Sequence, residues 1–204
     1  MTALKKLVLV IPAVGLLASG PARAQKRLEI GGSVGYQFGG QIRTDEGNVR
    51  IPNGPNFGVT IDLAIRPNAW IEVSYSRQDA AVDLQPPGGG STPLYDAAVE
   101  YYQVGGLYEK GGPVSVFGLA TIGVFSLNPK TAGLETETWF AAALGAGLKV
   151  PLSRRLGYRL QGRLLVPVLS AGGVVLIGPG GSTALISSTV LVWGDLSAGL
   201  YLRF

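Results

Sequence analysis

The last nine residues of the chain alternate strictly between apolar side chains and other side chains. The apolar set is Leu196, Ala198, Leu200, Leu202 and Phe204. A period of two predicts a β-strand with one apolar face. The segment ends on the carboxylate of an aromatic residue, with no polar residue after it. A strand that closes a barrel in lipid can end in this way, because its last residue can lie at the membrane interface.

Seven more segments alternate, or are continuously apolar, over the length of a strand. They are residues 28–38, 56–66, 70–78, 98–108, 114–125, 137–150 and 157–168, and the closing segment runs from about 189 to 204. Strands of about ten residues cross the hydrocarbon layer when tilted. The connections alternate between long and short, as they do in transmembrane barrels. We therefore predict an all-β fold, an eight-stranded antiparallel up-and-down transmembrane β-barrel. The segment 114–125 is apolar on both faces, so its sides stay unassigned.

Residues 1–24 have the pattern of a secretory signal peptide. Lys5 and Lys6 precede an apolar run over 7–17, and Ala22-Arg23-Ala24 forms a small-residue cleavage site. The alternative is a membrane anchor, but the apolar run is short for a membrane-spanning helix. We expect cleavage after residue 24 and a barrel domain over 25–204, outside the cytoplasm.

The residue content excludes several functional classes. Removing Lys5, Lys6 and Arg23 from the 17 basic residues leaves 14 against 13 acidic residues, a net charge of +1, so nucleic-acid binding is not expected. The chain has no histidine and no cysteine, which excludes Ser-His-Asp triads, histidine bases, histidine metal sites and disulfides. We expect no enzymatic activity, no cofactor and no metal site.

Residues 164–194 include no charged side chain, and the stretch 164–177 resembles part of a membrane helix. Pro167 and the glycines at 172, 173, 178, 180 and 181 interrupt any helix of membrane length. We interpret the region as the outer loop of the last hairpin. Its apolar tip, Val174 to Ile177 within the stretch 172–186, either contacts a partner or extends the hairpin above the membrane.

Three motifs resemble those of a known group, the small Gram-negative outer-membrane β-barrels of the OmpA/OmpX type, also called porin-family proteins. The motifs are the stretches 100–106 (EYYQVGG), 145–152 (GAGLKVPL) and 199–204 (GLYLRF). The resemblance implies location in the outer membrane, in contact with its lipid. It also implies that the barrel-assembly machinery reads the closing strand through Phe204, with Leu200 and Leu202 on the same face. It implies little about activity.

The face opposite the apolar one carries most of the strand charges. The residues predicted to point inward are Glu29, Asp62, Arg66, Glu72, Lys149, Arg159, Arg163, Asp195 and Arg203. Side chains fill the interior of an eight-stranded barrel, and charges there must be paired. We expect Asp62 to lie opposite Glu72, with Arg159 and Arg163 bridging the two carboxylates across the lumen. Glu29 and Arg203 are expected to pair at the seam where the barrel closes.

Three functional readings stay open at this point. The first is an envelope or surface-interaction barrel whose lumen is plugged by the charge network, and the second is a narrow pore for ions or small solutes. The third is a soluble lipocalin-like carrier, which would turn its apolar face inward. The tryptophans Trp70, Trp139 and Trp193 take the inward phase. A set of other aromatic residues is predicted to face lipid: Tyr36, Phe38, Phe57, Tyr108, Phe140, Tyr158 and Phe204.

Overall fold

The computed structural model describes residues 28–44, 47–85, 92–131, 133–168, 174–177, 183–186 and 192–204. The predicted signal peptide lies outside these residues. The described residues form twelve strands: β1 (Leu28–Phe38), β2 (Gln41–Thr44), β3 (Gly47–Arg50), β4 (Gly54–Arg66), β5 (Ala69–Gln85), β6 (Thr92–Gly111), β7 (Ser115–Pro129), β8 (Glu137–Pro151), β9 (Leu156–Val168), β10 (Val174–Ile177), β11 (Thr183–Ile186) and β12 (Trp193–Arg203). Within the described ranges, no helix has the length and apolar character needed to cross a membrane.

Eight of these strands close into an antiparallel barrel. The order around the barrel is β1, β4, β5, β6, β7, β8, β9 and β12, and β12 returns to pair with β1. At the closing seam Glu29 lies opposite Arg203, and Phe38 lies opposite Gly194. Closure gives every barrel strand two hydrogen-bonded neighbours, which is the condition for a sheet to cross lipid. The predicted eight-stranded up-and-down barrel is confirmed.

The barrel turns its apolar side chains outward. All seven aromatic residues predicted to face lipid are exposed, as are Val34, Ile61, Leu144, Leu164 and Leu196 among the aliphatic residues. Leu144, for example, exposes 64% of its surface and Val34 69%. An apolar face this broad is stable only against hydrocarbon. The lipid-facing orientation is therefore as predicted, and it is the reverse of a lipocalin-like carrier.

Strand β7, whose sides the sequence left open, has one inward and one outward set. Phe117, Leu119 and Thr121 are buried, whereas Val116 and Ile122 are exposed. The alternation then fails, because Phe125, Ser126 and Leu127 are all buried. Phe125 and Leu127 belong to the apolar core, and Ser126 between them accepts a hydrogen bond from Thr138 on β8.

Two of the long connections left between the predicted strands are partly strand, so their prediction as connections was wrong. The first, 39–55, contains β2 and β3, and β3 pairs with β5. The second, 79–96, contains the ends of β5 and β6, which continue to pair as far as Leu84 opposite Thr92. Asp79 lies on the outer face of β5, where it is exposed. The inward neighbours on this strand, among them Ala80 and Val82, are buried in an apolar core.

The uncharged region before β12 also contains strands. β10 and β11 pair as a separate antiparallel hairpin, with Val174 opposite Ile186 and Ile177 opposite Thr183. The hairpin predicted between the last two barrel strands therefore contains a short sheet that is separate from the barrel. The side chains of β10 lie outside the described set, so the contact role of Val174 to Ile177 stays a prediction.

Candidate functional site in the barrel lumen

Lys149 is the centre of an ionic cluster inside the barrel. Its Nζ lies 2.6 Å from Glu29 Oε2, 3.2 Å from Asp62 Oδ2 and 3.5 Å from Glu109 Oε2. The residue is 0% exposed, as expected for an inward position near the end of β8. A buried ammonium group is stable only when carboxylates compensate it. Lys149 therefore joins β1, β4, β6 and β8 through charge.

Arg159 bridges the two carboxylates that face each other on β4 and β5. Asp62 lies directly opposite Glu72 in the sheet, as predicted. Arg159 NH1 lies 2.9 Å from Asp62 Oδ2, and NH2 lies 2.5 Å from Glu72 Oε2. Its Nε donates to Gln161 Oε1 at 2.9 Å, which fixes the plane of the guanidinium. Arg159 thus acts as the cation that the carboxylate pair requires.

Arg203 extends the cluster to the closing seam. Its NH2 lies 2.5 Å from Glu29 Oε1, and its Nε donates to the same oxygen at 2.6 Å. Because Glu29 also contacts Lys149, the charges alternate in sign from Arg203 to Glu72 without a break. The predicted pairing of Glu29 with Arg203 is present.

Arg163 takes a different partner from the one predicted. Its Nε lies 3.1 Å from Asp195 Oδ1, and Asn56 Nδ2 donates to the other oxygen of the same carboxylate. Asp195 is directly opposite Arg163 in the β9–β12 register, so it is nearer than any group across the lumen. The prediction that Arg163 helps to bridge Asp62 and Glu72 was wrong, and Arg163 with Asp195 forms a second, separate pair.

Arg66 was also placed incorrectly. It was predicted to point inward but is exposed at the end of β4. The register between β4 and β5 shifts between Ala64 and Arg66, so the period of two does not continue to that residue. Glu109, by contrast, was missed because it lies close to the end of its strand. Only its inward phase on β6 signals the contact with Lys149.

Aromatic rings surround the ionic cluster. Lys149 Nζ lies 4.9 Å from the centroid of the Trp70 ring, and the Arg159 guanidinium carbon lies 4.6 Å from that of Phe117. Leu107 and Leu119 complete an apolar cluster with these two rings. The rings exclude water from the cluster and stabilise its cations by cation–π attraction.

A second, purely aromatic layer fills the other end of the lumen. The Phe125 ring stacks on Trp139 at 5.4 Å between centroids, and it meets Trp193 edge-on at 5.3 Å. Tyr101 lies 5.2 Å from Phe125 and 6.3 Å from Trp193. All three tryptophans of the chain are buried, as their inward phase predicted. Trp193 and Arg203 lie at the two ends of β12, so the aromatic layer and the ionic cluster are stacked along the barrel axis.

The segment after β1 packs on the aromatic layer. A Cβ atom on Gly40 would clash with the indole of Trp193, so only glycine allows this close approach. The Ile51 backbone nitrogen donates to the Gly40 carbonyl at 3.0 Å, and Ile51 is itself buried in the same apolar core. Gly40 and Ile51 thus cover this layer from the side of the long connections.

Replacing Lys149 with methionine should strongly destabilise the barrel. The change leaves Glu29 and Asp62 with one cation fewer in a buried site, at a cost of about 3–5 kcal/mol. Lys110→Met is the matched control, because Lys110 is exposed on β6 and its replacement should change stability by less than about 0.5 kcal/mol. Urea unfolding of the barrel in lipid vesicles measures both. Equal free energies of unfolding for the two variants would contradict the role given to Lys149, and adding Asp62→Asn should recover part of the loss.

The fold has counterparts among solved structures, whereas no protein-family model matches the chain and no curated protein matches it in sequence. It is similar to the outer membrane protein OprG from Pseudomonas aeruginosa, with a TM-score of 0.67 and 12% identity over 87% of this chain and 95% of the other. Neisserial surface protein A gives a TM-score of 0.58 and 12% identity over 87% of this chain and 97% of the other. A major outer membrane protein from Thermus thermophilus gives a TM-score of 0.51 and 15% identity over 87% and 99%.

At such low identities the likeness concerns the fold alone. The apolar belt is a property of this chain itself, and it requires a bilayer around the barrel. The chain therefore has the fold of a transmembrane β-barrel, with an apolar belt on the face that meets lipid.

Proposed function

We propose that the protein serves the bacterial envelope as a closed barrel, in a structural or surface-interaction role. The observation that supports this proposal is the double filling of the lumen. The ionic cluster around Lys149 occupies one end, and the aromatic layer around Phe125 occupies the other. An eight-stranded barrel is narrow enough for such side chains to fill its cross-section.

The two layers act in series, so either one alone suffices to block a solute. In the ionic cluster, each cation contacts at least one carboxylate, and movement of any member would leave a partner uncompensated. In the aromatic layer, the rings of Phe125, Trp139 and Trp193 pack against one another and fill the cross-section. The narrow pore, the runner-up reading, requires both layers to open together.

Conductance in planar lipid bilayers tests the closed lumen. We expect no stable conductance steps from the natural sequence, from Arg159→Ala or from Trp193→Ala, because each single variant retains one layer. The double variant should conduct, since it shortens the side chains in both layers. Faster migration of the unboiled protein on a gel serves as the control that each variant is a folded barrel.

Stable steps from the natural sequence that change with Arg163→Ala would overturn the closed lumen and establish the narrow pore. A double variant that is folded and still silent would show that other residues close the barrel.

We further propose that Phe204 is the assembly signal of the closing strand, with Leu200 and Leu202. All three are exposed on the lipid face, and the Phe204 backbone nitrogen donates to the Leu28 carbonyl at 2.8 Å. This position leaves the ring free to be recognised before the seam closes. Arg203 is the natural comparison, because it contacts Glu29 in the lumen but does not face lipid.

Deleting Phe204 should therefore reduce insertion into the outer membrane far more than Arg203→Ala does. Membrane fractionation followed by comparison of boiled and unboiled samples measures the inserted fraction. Equal insertion of the Phe204 deletion and the natural sequence would remove the proposed signal.

A surface role rests on the strands that continue beyond the lipid belt. β5 and β6 extend past Arg77 and Glu100, which pair on the outer face at 3.5 Å. Beyond this pair the inward residues form an apolar core, so the extension of β5 and β6 is a packed structure that presents an ordered surface.

The β10–β11 hairpin is the candidate contact for a partner. A chain that lacks residues 173–181 should lose surface adhesion, and unchanged adhesion would count against the contact.

A further inference from the structure

Between the ionic cluster and the aromatic layer, the wall formed by β5, β6 and β7 carries neutral polar groups that no protein group satisfies. The atoms are Ser74 Oγ, Ser76 Oγ, Gln103 Oε1, Gln103 Nε2 and Thr121 Oγ1, which have no hydrogen-bond partner among the described residues. Each of these four residues is at most 5% exposed. Buried polar groups in native proteins are almost always hydrogen-bonded, to protein or to ordered water.

The register of the sheet places these groups side by side. Ser74 lies directly opposite Gln103 on the β5–β6 pair. Thr121 is a diagonal neighbour of Gln103, because Gln103 lies opposite Gly123 on β7. Gly105 and Gly123 are the remaining inward positions here, and neither carries a side chain that fills the lumen. The unsatisfied groups therefore line one common space.

Larger side chains bound this space at both ends. On β7 the inward residues run from Phe117 through Thr121 to Phe125, so Thr121 lies between a ring of the ionic cluster and a ring of the aromatic layer. On β5 and β6 the boundaries are Glu72, bound to Arg159, and Tyr101. The polar wall thus belongs to an enclosed section of the lumen.

The opposite wall supplies an independent observation. A cavity of about 10 Å³ there is lined by Thr60, Gln161 and Ser197, and it borders the ionic cluster at Arg159, whose charge is already compensated by Asp62 and Glu72. This volume is about the minimum for a single water molecule, and the lining offers several hydrogen-bonding groups. Both walls of the same section therefore present polar groups suited to a small hydrogen-bonding molecule.

We propose that the middle of the lumen is a hydrated chamber, in which ordered water satisfies Ser74, Ser76, Gln103 and Thr121. The occupant is neutral, because these side chains are uncharged and the nearby charges of Arg163 and Asp195 already contact each other. An apolar occupant would leave five polar atoms without partners. The closure at the two ends rests on the proposed function, whereas the hydration does not.

Water-edited solid-state NMR of the barrel in lipid bilayers tests the chamber directly. Magnetisation should pass from water to the side chains of Gln103, Thr121 and Ser74. Ala141 and Leu165 are the controls, because both are 0% exposed and belong to the aromatic layer and its core. Transfer to Gln103 and Thr121 as slow as to the controls would overturn the proposal. Conductance of the natural sequence would overturn the closure but not the hydration, so the two failures are distinguishable.

The sign of a stability change gives a second test. Thr121→Val keeps the shape of the side chain and removes its hydroxyl. If water binds the hydroxyl, the urea midpoint should fall or stay unchanged, because a satisfied group is lost. If the lumen is dry, the midpoint should rise, because an unsatisfied buried group is removed. A rise would overturn the proposal.

Discussion

The requirement that a narrow, lipid-surrounded lumen hold its charges in compensated pairs determines much of this structure. Closing eight strands satisfies the backbone, but it leaves the inward positions in a space that bulk water does not fill. Glu29, Asp62 and Glu72 would each be costly there alone. Lys149 and Arg159 make them stable by bridging between carboxylates, so that charge holds together strands that are not neighbours in the sheet.

The fold was predictable because lipid and lumen make opposite demands on alternate residues. The period of two therefore survives in the sequence wherever a strand crosses the membrane, as in β1, β4 and β12. Above the membrane the outer face of the strands meets water, so charged side chains occupy the outward positions of the same alternation. The continuation of β5 through Asp79 therefore lacks the apolar outer face that marks a membrane-crossing strand. β7 was ambiguous for the converse reason, since most of its inward side chains are as apolar as its lipid-facing ones.

The site was predictable only to the extent that register follows from short connections. The tight turn at Pro67-Asn68 brings Asp62 near Glu72, and the one-residue register shift between Ala64 and Arg66 places the two directly opposite. Closure of the barrel places Glu29 opposite Arg203. Contacts across the lumen depend on strand tilt, which alternation does not encode. For that reason the central position of Lys149 was not predicted. The pairing of Arg163 with Asp195 is a contact between neighbouring strands, and it was missed because the long connection from β9 to β12 leaves their register open. The bulge before Arg66 likewise leaves no clear signal in a period of two.

The two layers of the lumen differ in what holds them, and this difference has consequences for the barrel as a whole. The ionic cluster depends on charge balance, so its stability is sensitive to removal of a single charge and tolerant of small changes in volume. The aromatic layer depends on close packing, so the backbone at Gly40 must approach Trp193 without a side chain. A lumen closed only by ion pairs could be opened by removal of one charge, and a lumen closed only by packed rings could be opened by loss of packing. With both chemistries in series, a change that loosens the packing leaves the charges paired, and a change that disturbs the charges leaves the rings packed.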